Sequence, residues 1–187
     1  MKNKIIAISF LALAIPMQCL AKNAPIEQPN IIVIMADDMG WGDSSTYGHP
    51  IIKTPNLDKL ATQGVKFTQG YAAAGVCSPS RSAILTGRTP YRNGVWRHLS
   101  GFEPAHLRSS EITYPKILQK GGYETAHFGK WHLLSQEQFA NKDYPQPGEH
   151  GYDYWFATQN NAIPSSKNPN NFIRNGTAVG ELKGCSA

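Results

Sequence analysis

The sequence is short of cysteine, of long apolar runs and of clustered charge, and each shortage removes a class of protein. Three cysteines occur in 187 residues. Cys19 lies in a leader-like stretch, so Cys77 and Cys185 can form at most one disulfide. After residue 21 no apolar run is long enough to span a bilayer, which predicts a soluble mature chain. Charged residues make up 17% of the chain, and the formal net charge is only +5. Lysines and arginines are scattered rather than massed, unlike the basic face of a nucleic-acid binder. Internal repeats and low-complexity segments are missing too. With 41% hydrophobic residues, the composition is that of a globular protein and not of a disordered one.

The first 21 residues stand apart. Lys2 and Lys4 precede an apolar run from Ile5 to Ile15, Pro16 breaks it, and Cys19-Leu20-Ala21 forms a cleavage region. The pattern predicts a secretory signal peptide over residues 1–21, and hence a secreted or periplasmic protein. Its loss removes two lysines and no acid. The remaining mild positive bias is compatible with an anionic substrate.

Residues 30–36, Asn-Ile-Ile-Val-Ile-Met-Ala, form a continuous apolar run that predicts a strand buried on both faces. Thr54-Pro55 opens a helix with Leu57, Leu60 and Ala61 on its apolar face and Gly64 at its end. Val65 to Thr68 is expected to be a short strand. Ser78-Pro79 opens a second helix that runs to Thr86 and stops at Gly87. Thr113 to Lys120 gives another helix, and Tyr123 to Phe128 a strand. Beyond residue 140 the chain is rich in Asn, Pro and Gly, and long surface loops are expected. Strands alternating with helices predict an α/β fold with a mostly parallel sheet and helices on both faces.

Three polar clusters fall at predicted strand ends and helix starts, where ligands bind in parallel α/β sheets. Asp37 and Asp38 follow the first strand. Adjacent carboxylates repel unless a cation joins them, and their hard oxygens suit calcium or magnesium; the alternative is a solvated turn. Cys77 lies just before the N-terminus of the second helix, where backbone N–H groups and the helix dipole favour an anion. Arg81, one turn on, could face the same anion. The plain alternative is an inert buried thiol. In the third cluster, Gly129-Lys130-Trp131-His132, an extended backbone would point Lys130 and His132 the same way. That pair suits an anionic reaction centre, or else is a surface lysine beside a structural histidine.

The segment Cys77-Ser78-Pro79-Ser80-Arg81, continued by Leu85-Thr86-Gly87-Arg88, resembles the signature of the formylglycine-dependent sulfatases. Asn30 to Trp41, Thr54-Pro55-Asn56-Leu57-Asp58 and Gly129-Lys130-Trp131-His132 resemble further segments of that family, in the family's order. Tyr91-Arg92-Asn93-Gly94 and Gly151-Tyr152-Asp153-Tyr154-Trp155-Phe156 look most like the arylsulfatase A and N-acetylgalactosamine-6-sulfatase branch. The resemblance implies an alkaline-phosphatase-like α/β fold. It implies that a separate maturation enzyme oxidises Cys77 to formylglycine. Asp37, Asp38 and the modified residue 77 would ligate calcium, or magnesium in its place. Arg81 would steady the hydrated aldehyde, Lys130 would bind the substrate's sulfate, and His132 would bond to the hydrate. One hydroxyl of the hydrate attacks sulfur, and deprotonation of the other expels sulfate and restores the aldehyde. A serine could be sulfated there but, with no second hydroxyl, would stay blocked.

The expected substrate is a sulfated carbohydrate or an aryl sulfate, with no nucleic-acid partner and no membrane span. The alternatives are a phosphate- or phosphonate-ester hydrolase on the same fold, and an inactive fragment. The family's downstream Asp-Asn pair, His and Lys have no convincing match after His132. Residues 22–187 are therefore expected to be the N-terminal part of a catalytic domain truncated at its C-terminus, with little activity alone and an open sheet edge.

Overall fold

The computed structural model describes residues 28–99 and 104–185; the predicted signal peptide lies outside the described residues. Two compact units divide at residue 35. In the first, the described residues 28–35 form no helix or strand, and Ile31, Ile32, Val33, Ile34 and Met35 are exposed. The expected buried strand over residues 30–36 is thus not formed. A strand buried on both faces needs ladder partners, and among the described residues none pairs with this run.

Among the described residues the second unit carries four α-helices: α1 (Pro55–Gln63), α2 (Cys77–Thr86), α3 (Pro90–Asn93) and α4 (Tyr114–Lys120). It also carries strands β1 (Ala126–Lys130), β2 (Tyr154–Thr158), β3 (Ile173–Arg174) and β4 (Thr177–Ala178). The strands form one sheet in the order β1-β2-β3-β4. β1 and β2 are parallel, with Ala126 opposite Tyr154 and Lys130 opposite Thr158. β3 and β4 add antiparallel pairings, so the sheet is mixed.

Local chemistry explains where elements start and stop. α1 begins at a proline after Thr54, as the sequence predicts. Its Leu57 and Leu60, however, are exposed. Polar bonds hold this helix instead: Asp58 accepts from the hydroxyls of Ser45 and Thr46, and Ser45 and Thr54 share a 2.8 Å hydroxyl contact. Val65 to Thr68 is irregular, not a strand, and lacks any ladder partner among the described residues. α2 ends at Gly87, whose φ of 64° is the left-handed conformation that glycine adopts without a Cβ penalty.

The strand expected at Tyr123 to Phe128 is shifted to Ala126–Lys130. Thr125 is used as an anchor: its N–H and hydroxyl both donate to the Asp153 carboxylate at 2.9 Å, and the ladder begins only after it. The chain beyond residue 140 is not mere surface loop. Trp155, Ala157, Phe172 and Ile173 are buried there. They belong to a core that includes Leu85 of α2, Val95, Leu99 and Leu107 of the following loops, and Trp131, Leu133 and Leu134 after β1. The connection from β1 to β2 thus closes the core on the strand end that bears Lys130.

His150 sits in that interior, fully buried, with its ring 5.5 Å from that of Trp131. Burial, helped by the nearby Lys116 charge, pushes its pKa down from 6.5 to about 4. The unfolded chain binds the proton more readily, so the stability held by neutral His150 is complete above pH 6.5 and is lost as pH falls towards 4. Unfolding free energy measured by urea titration is expected to drop across this window, with His150 contributing on the order of 3 kcal/mol. In His150→Gln the acid slope should be shallower, whatever the variant's absolute stability. An unchanged slope would show that His150 does not titrate with folding.

Candidate active site

The site is assembled by α2, by the end of β1 and by the loop after Ala36. α2 starts at Cys77, preceded by extended Val76, and buries Ser78, Pro79, Arg81, Ser82 and Leu85. That face packs inwards and leaves Cys77 half-buried at the helix start. Cys77 and Cys185 are both free thiols.

Arg81 is the bridge. Its side chain is only 9% exposed; Nη1 donates to the Lys130 carbonyl at 2.5 Å, and Nη2 donates to Asp37 Oδ1 at 2.9 Å. Its Nε is buried and has no hydrogen-bond partner among the described residues. Lys130, the last residue of β1, turns its ammonium to the same place. Nζ lies 2.9 Å from Asp37 Oδ2 and 3.3 Å from Cys77 Sγ. The thiol in turn lies 3.7 Å from Asp37 Oδ1. One carboxylate is thus gripped by two cations, with the thiol beside the carboxylate and the Lys130 ammonium.

Burial works to raise the Asp37 pKa, but hydrogen bonds and charge from Lys130 and Arg81 outweigh it and hold the carboxyl below its ordinary value. Asp38 follows with a left-handed φ of 57°. This turn brings one of its carboxylate oxygens within 4.8 Å of an Asp37 oxygen and Cys77 Sγ. Two hard carboxylates on one point are the start of an oxygen-ligated cation site. The thiol is the soft member of the set, and oxygen at position 77 would suit calcium or magnesium better.

His132 is placed differently from the sequence expectation. The strand ends at Lys130 and His132 has a left-handed φ of 54°, so the extended alternation that would align it with Lys130 is broken. Its ring is fully buried and makes no hydrogen bond to Cys77. Nε2 lies 2.8 Å from the Leu99 carbonyl. A carbonyl only accepts, so Nε2 carries the proton and Nδ1 presents a lone pair. Nδ1 is buried without a hydrogen-bond partner among the described residues. Burial lowers the His132 pKa to about 4; the Leu99 carbonyl opposes this, and the Lys130, His98 and Arg81 charges add to it. The imidazole is therefore neutral at neutral pH.

Sequence motifs bring together Asp37, Asp38, Cys77, Arg81 and Lys130. They give no hint of His98, whose ring stands edge to face with His132 at 4.5 Å, nor of the Leu99 carbonyl. A backbone acceptor carries no residue signature, and a single histidine in Val95-Trp96-Arg97-His98-Leu99 has no motif around it.

Lys130→Met should raise the Asp37 pKa, because it removes both a hydrogen bond and a charge that stabilise the carboxylate. Carbon-13 NMR of the Asp37 carboxyl measures this. A titration that does not move would mean that the Lys130–Asp37 contact is absent in solution.

Comparison with known proteins gives a consistent picture. The family model described as sulfatase matches residues 29–186. N-acetylgalactosamine-6-sulfatase of Rattus norvegicus is 42% identical over 149 residues, covering 75% of this chain and 27% of that protein. Steryl-sulfatase of Rattus norvegicus is 43% identical over 146 residues, covering 75% of this chain and 25% of that one. A solved structure of a protein in complex with its substrate D-glucosamine-2-N,6-O-disulfate is 34% identical, with a TM-score of 0.67 over 85% of this chain and 28% of that one. The chain spans about a quarter of the length of the curated relatives it matches.

Proposed function

The chain belongs to the sulfatase family and has its alkaline-phosphatase-like α/β fold; from that premise we propose that it carries the nucleophile end of a sulfate-ester hydrolase site, with Cys77 as the precursor of a formylglycine nucleophile. The observation that carries this reading is the convergence of Lys130 and Arg81 on Asp37 beside the Cys77 thiol. Sulfate is a tetrahedral anion, and an ammonium with a guanidinium is the donor set that binds one.

The residues divide the work as follows. Residue 77, oxidised and hydrated, offers one hydroxyl for attack on sulfur and a second whose deprotonation releases sulfate. Lys130 holds a sulfuryl oxygen from the side of the nucleophile and stabilises the charge that grows there. Arg81 fixes Lys130 through its carbonyl and Asp37 through its carboxylate, so the three keep their spacing as the substrate changes. His132, neutral and with Nδ1 unprotonated, has the protonation state required to accept the hydrate's proton. Asp37, Asp38 and the oxygen at position 77 would hold a calcium or magnesium ion, which when bound supplies charge neutralisation at the sulfuryl oxygens.

A sulfated carbohydrate or an aryl sulfate is the substrate class we assign. The sulfated glucosamine bound by the structural neighbour supports it, as does the sulfatase naming of the curated relatives. Secretion or export to the periplasm, after cleavage near Ala21, and oxidation of Cys77 by a formylglycine-generating enzyme complete the reading. Among the described residues no helix is long and apolar enough to cross a membrane.

Two measurements test the proposal. After co-expression with a formylglycine-generating enzyme, the Cys77 peptide should show the mass of an aldehyde in place of CH2–SH. Turnover of an aryl sulfate by the enzyme extended to full family length should disappear in Cys77→Ala and fall on the order of 10²–10³-fold in Lys130→Ala. An active preparation with unmodified Cys77 would contradict the mechanism, and a faster rate on the matching aryl phosphate would contradict the substrate class.

A further inference from the structure

Beyond the groups that meet at Cys77, the loop after α3 contributes a second histidine that no motif accounts for. Asn93 Oδ1 accepts from the Val95 N–H at 3.0 Å, and the Leu99 N–H donates to Ser78 Oγ at 3.2 Å. Val95 and Leu99 are buried at the two ends, while Trp96, Arg97 and His98 between them are exposed. Ser78 adjoins Cys77 in α2, so the loop is pinned to the helix turn that carries the nucleophile precursor. His98 is therefore held by a fixed backbone. Its ring meets that of His132 at 4.5 Å and 84°, an edge-to-face contact.

We propose that His98 is a positioning residue for His132: the His98 ring and the Leu99 carbonyl grip the buried imidazole from the same loop and keep it as a single tautomer, shielded from water, with Nδ1 open. The inference rests on the reading of His132 as the base of the sulfatase reaction. Two groups set the orientation. The Leu99 carbonyl accepts a hydrogen bond from Nε2–H, and the His98 ring packs edge to face against the imidazole. Among the described residues, the charged and titratable groups near His132 are Lys130 at the end of β1, Arg81 of α2 and His98 itself, and each disfavours a second proton on the ring. Exclusion of water works in the same direction, because water reaching the ring would stabilise the imidazolium. His98 acts through His132 and is given no contact with the substrate.

The test compares His98→Ala, which removes the ring, with His98→Phe, which keeps an aromatic edge in the same place. His98→Gln replaces His98→Ala should the latter fail to fold. Long-range proton–nitrogen NMR of the unmatured protein reads the His132 tautomer and titration directly, so this arm does not depend on turnover. In the parent protein and in His98→Phe, His132 should be the Nε2–H tautomer and titrate near 4. In His98→Ala its titration should rise towards 6.5, with both tautomers present. In the matured enzyme at full family length, His98→Ala should lower kcat on the order of 10-fold with KM little changed. It should also move the acid limb of the kcat profile to higher pH, and His98→Phe should restore both.

An unmoved His132 titration in His98→Ala would overturn the proposal. So would a His98→Phe variant as impaired as His98→Ala, or a raised KM at constant kcat, which would make His98 a substrate contact. Absence of turnover in the parent enzyme would instead sink the sulfatase reading, and the NMR arm would still decide the role of His98.

Discussion

The arrangement of this site depends on one buried guanidinium. Arg81 reaches from the second turn of α2 to the end of β1, where Nη1 takes the Lys130 carbonyl, and to the loop after Ala36, where Nη2 takes the Asp37 carboxylate. Few side chains can do this. A lysine in its place would supply a point charge without the planar fork that serves two acceptors in fixed directions. A charge so little exposed is tolerable only when paired, and Asp37 pairs it. The same bond that makes the arginine acceptable in the interior therefore fixes the carboxylate, and the carbonyl bond fixes the strand end that presents Lys130.

From that bridge the rest of the site follows by geometry. Lys130 and Arg81 share one carboxylate, so their charges stay together instead of spreading, and Cys77 is drawn to 3.3 Å from the ammonium by its place at the helix start. After Lys130 the chain leaves the sheet. The left-handed His132 drops its ring into the interior, where a carbonyl from the neighbouring loop fixes its proton on Nε2. Lys130 and the neutral His132 are thus close in sequence but separated in environment, the ammonium beside a partly exposed carboxylate and the imidazole fully buried. Two groups with opposite needs, one charged and one kept neutral, are held apart in this way.

The convergence of these side chains was legible because they have chemical character at recognisable spacing. Cys77 and Arg81 lie one helical turn apart, Asp37 and Asp38 are adjacent, and Lys130 follows a short strand. The α2 boundaries were equally readable, from a proline near its start and Gly87 at its end. Other features were hidden. The apolar run at residues 30–36 has strand periodicity, but a ladder depends on a partner, and local composition does not encode one. Leu57 and Leu60 mark an apolar face, yet the contacts that hold α1 come from hydroxyls on a preceding turn. Trp155 and Ile173 lie in a stretch whose Asn, Pro and Gly suggested loops, because composition averages over the few residues that pair. His132 was read as an alternating neighbour of Lys130, and its positive φ, which redirects the ring, leaves no mark in the residue types.

In the proposed reaction residue 77 is the group that attacks sulfur, held beside Lys130 for that purpose. The most direct measurement is a single-turnover experiment on Cys77→Ser in the enzyme extended to full family length, using an activated aryl sulfate and mass analysis of the peptide that contains residue 77. A serine has the hydroxyl for attack but not the second one that releases sulfate. The account predicts release of one aryl alcohol per site, a peptide heavier by one sulfuryl group at residue 77, and no further turnover. Sustained turnover by this variant, or release of the alcohol with residue 77 unmodified, would contradict it.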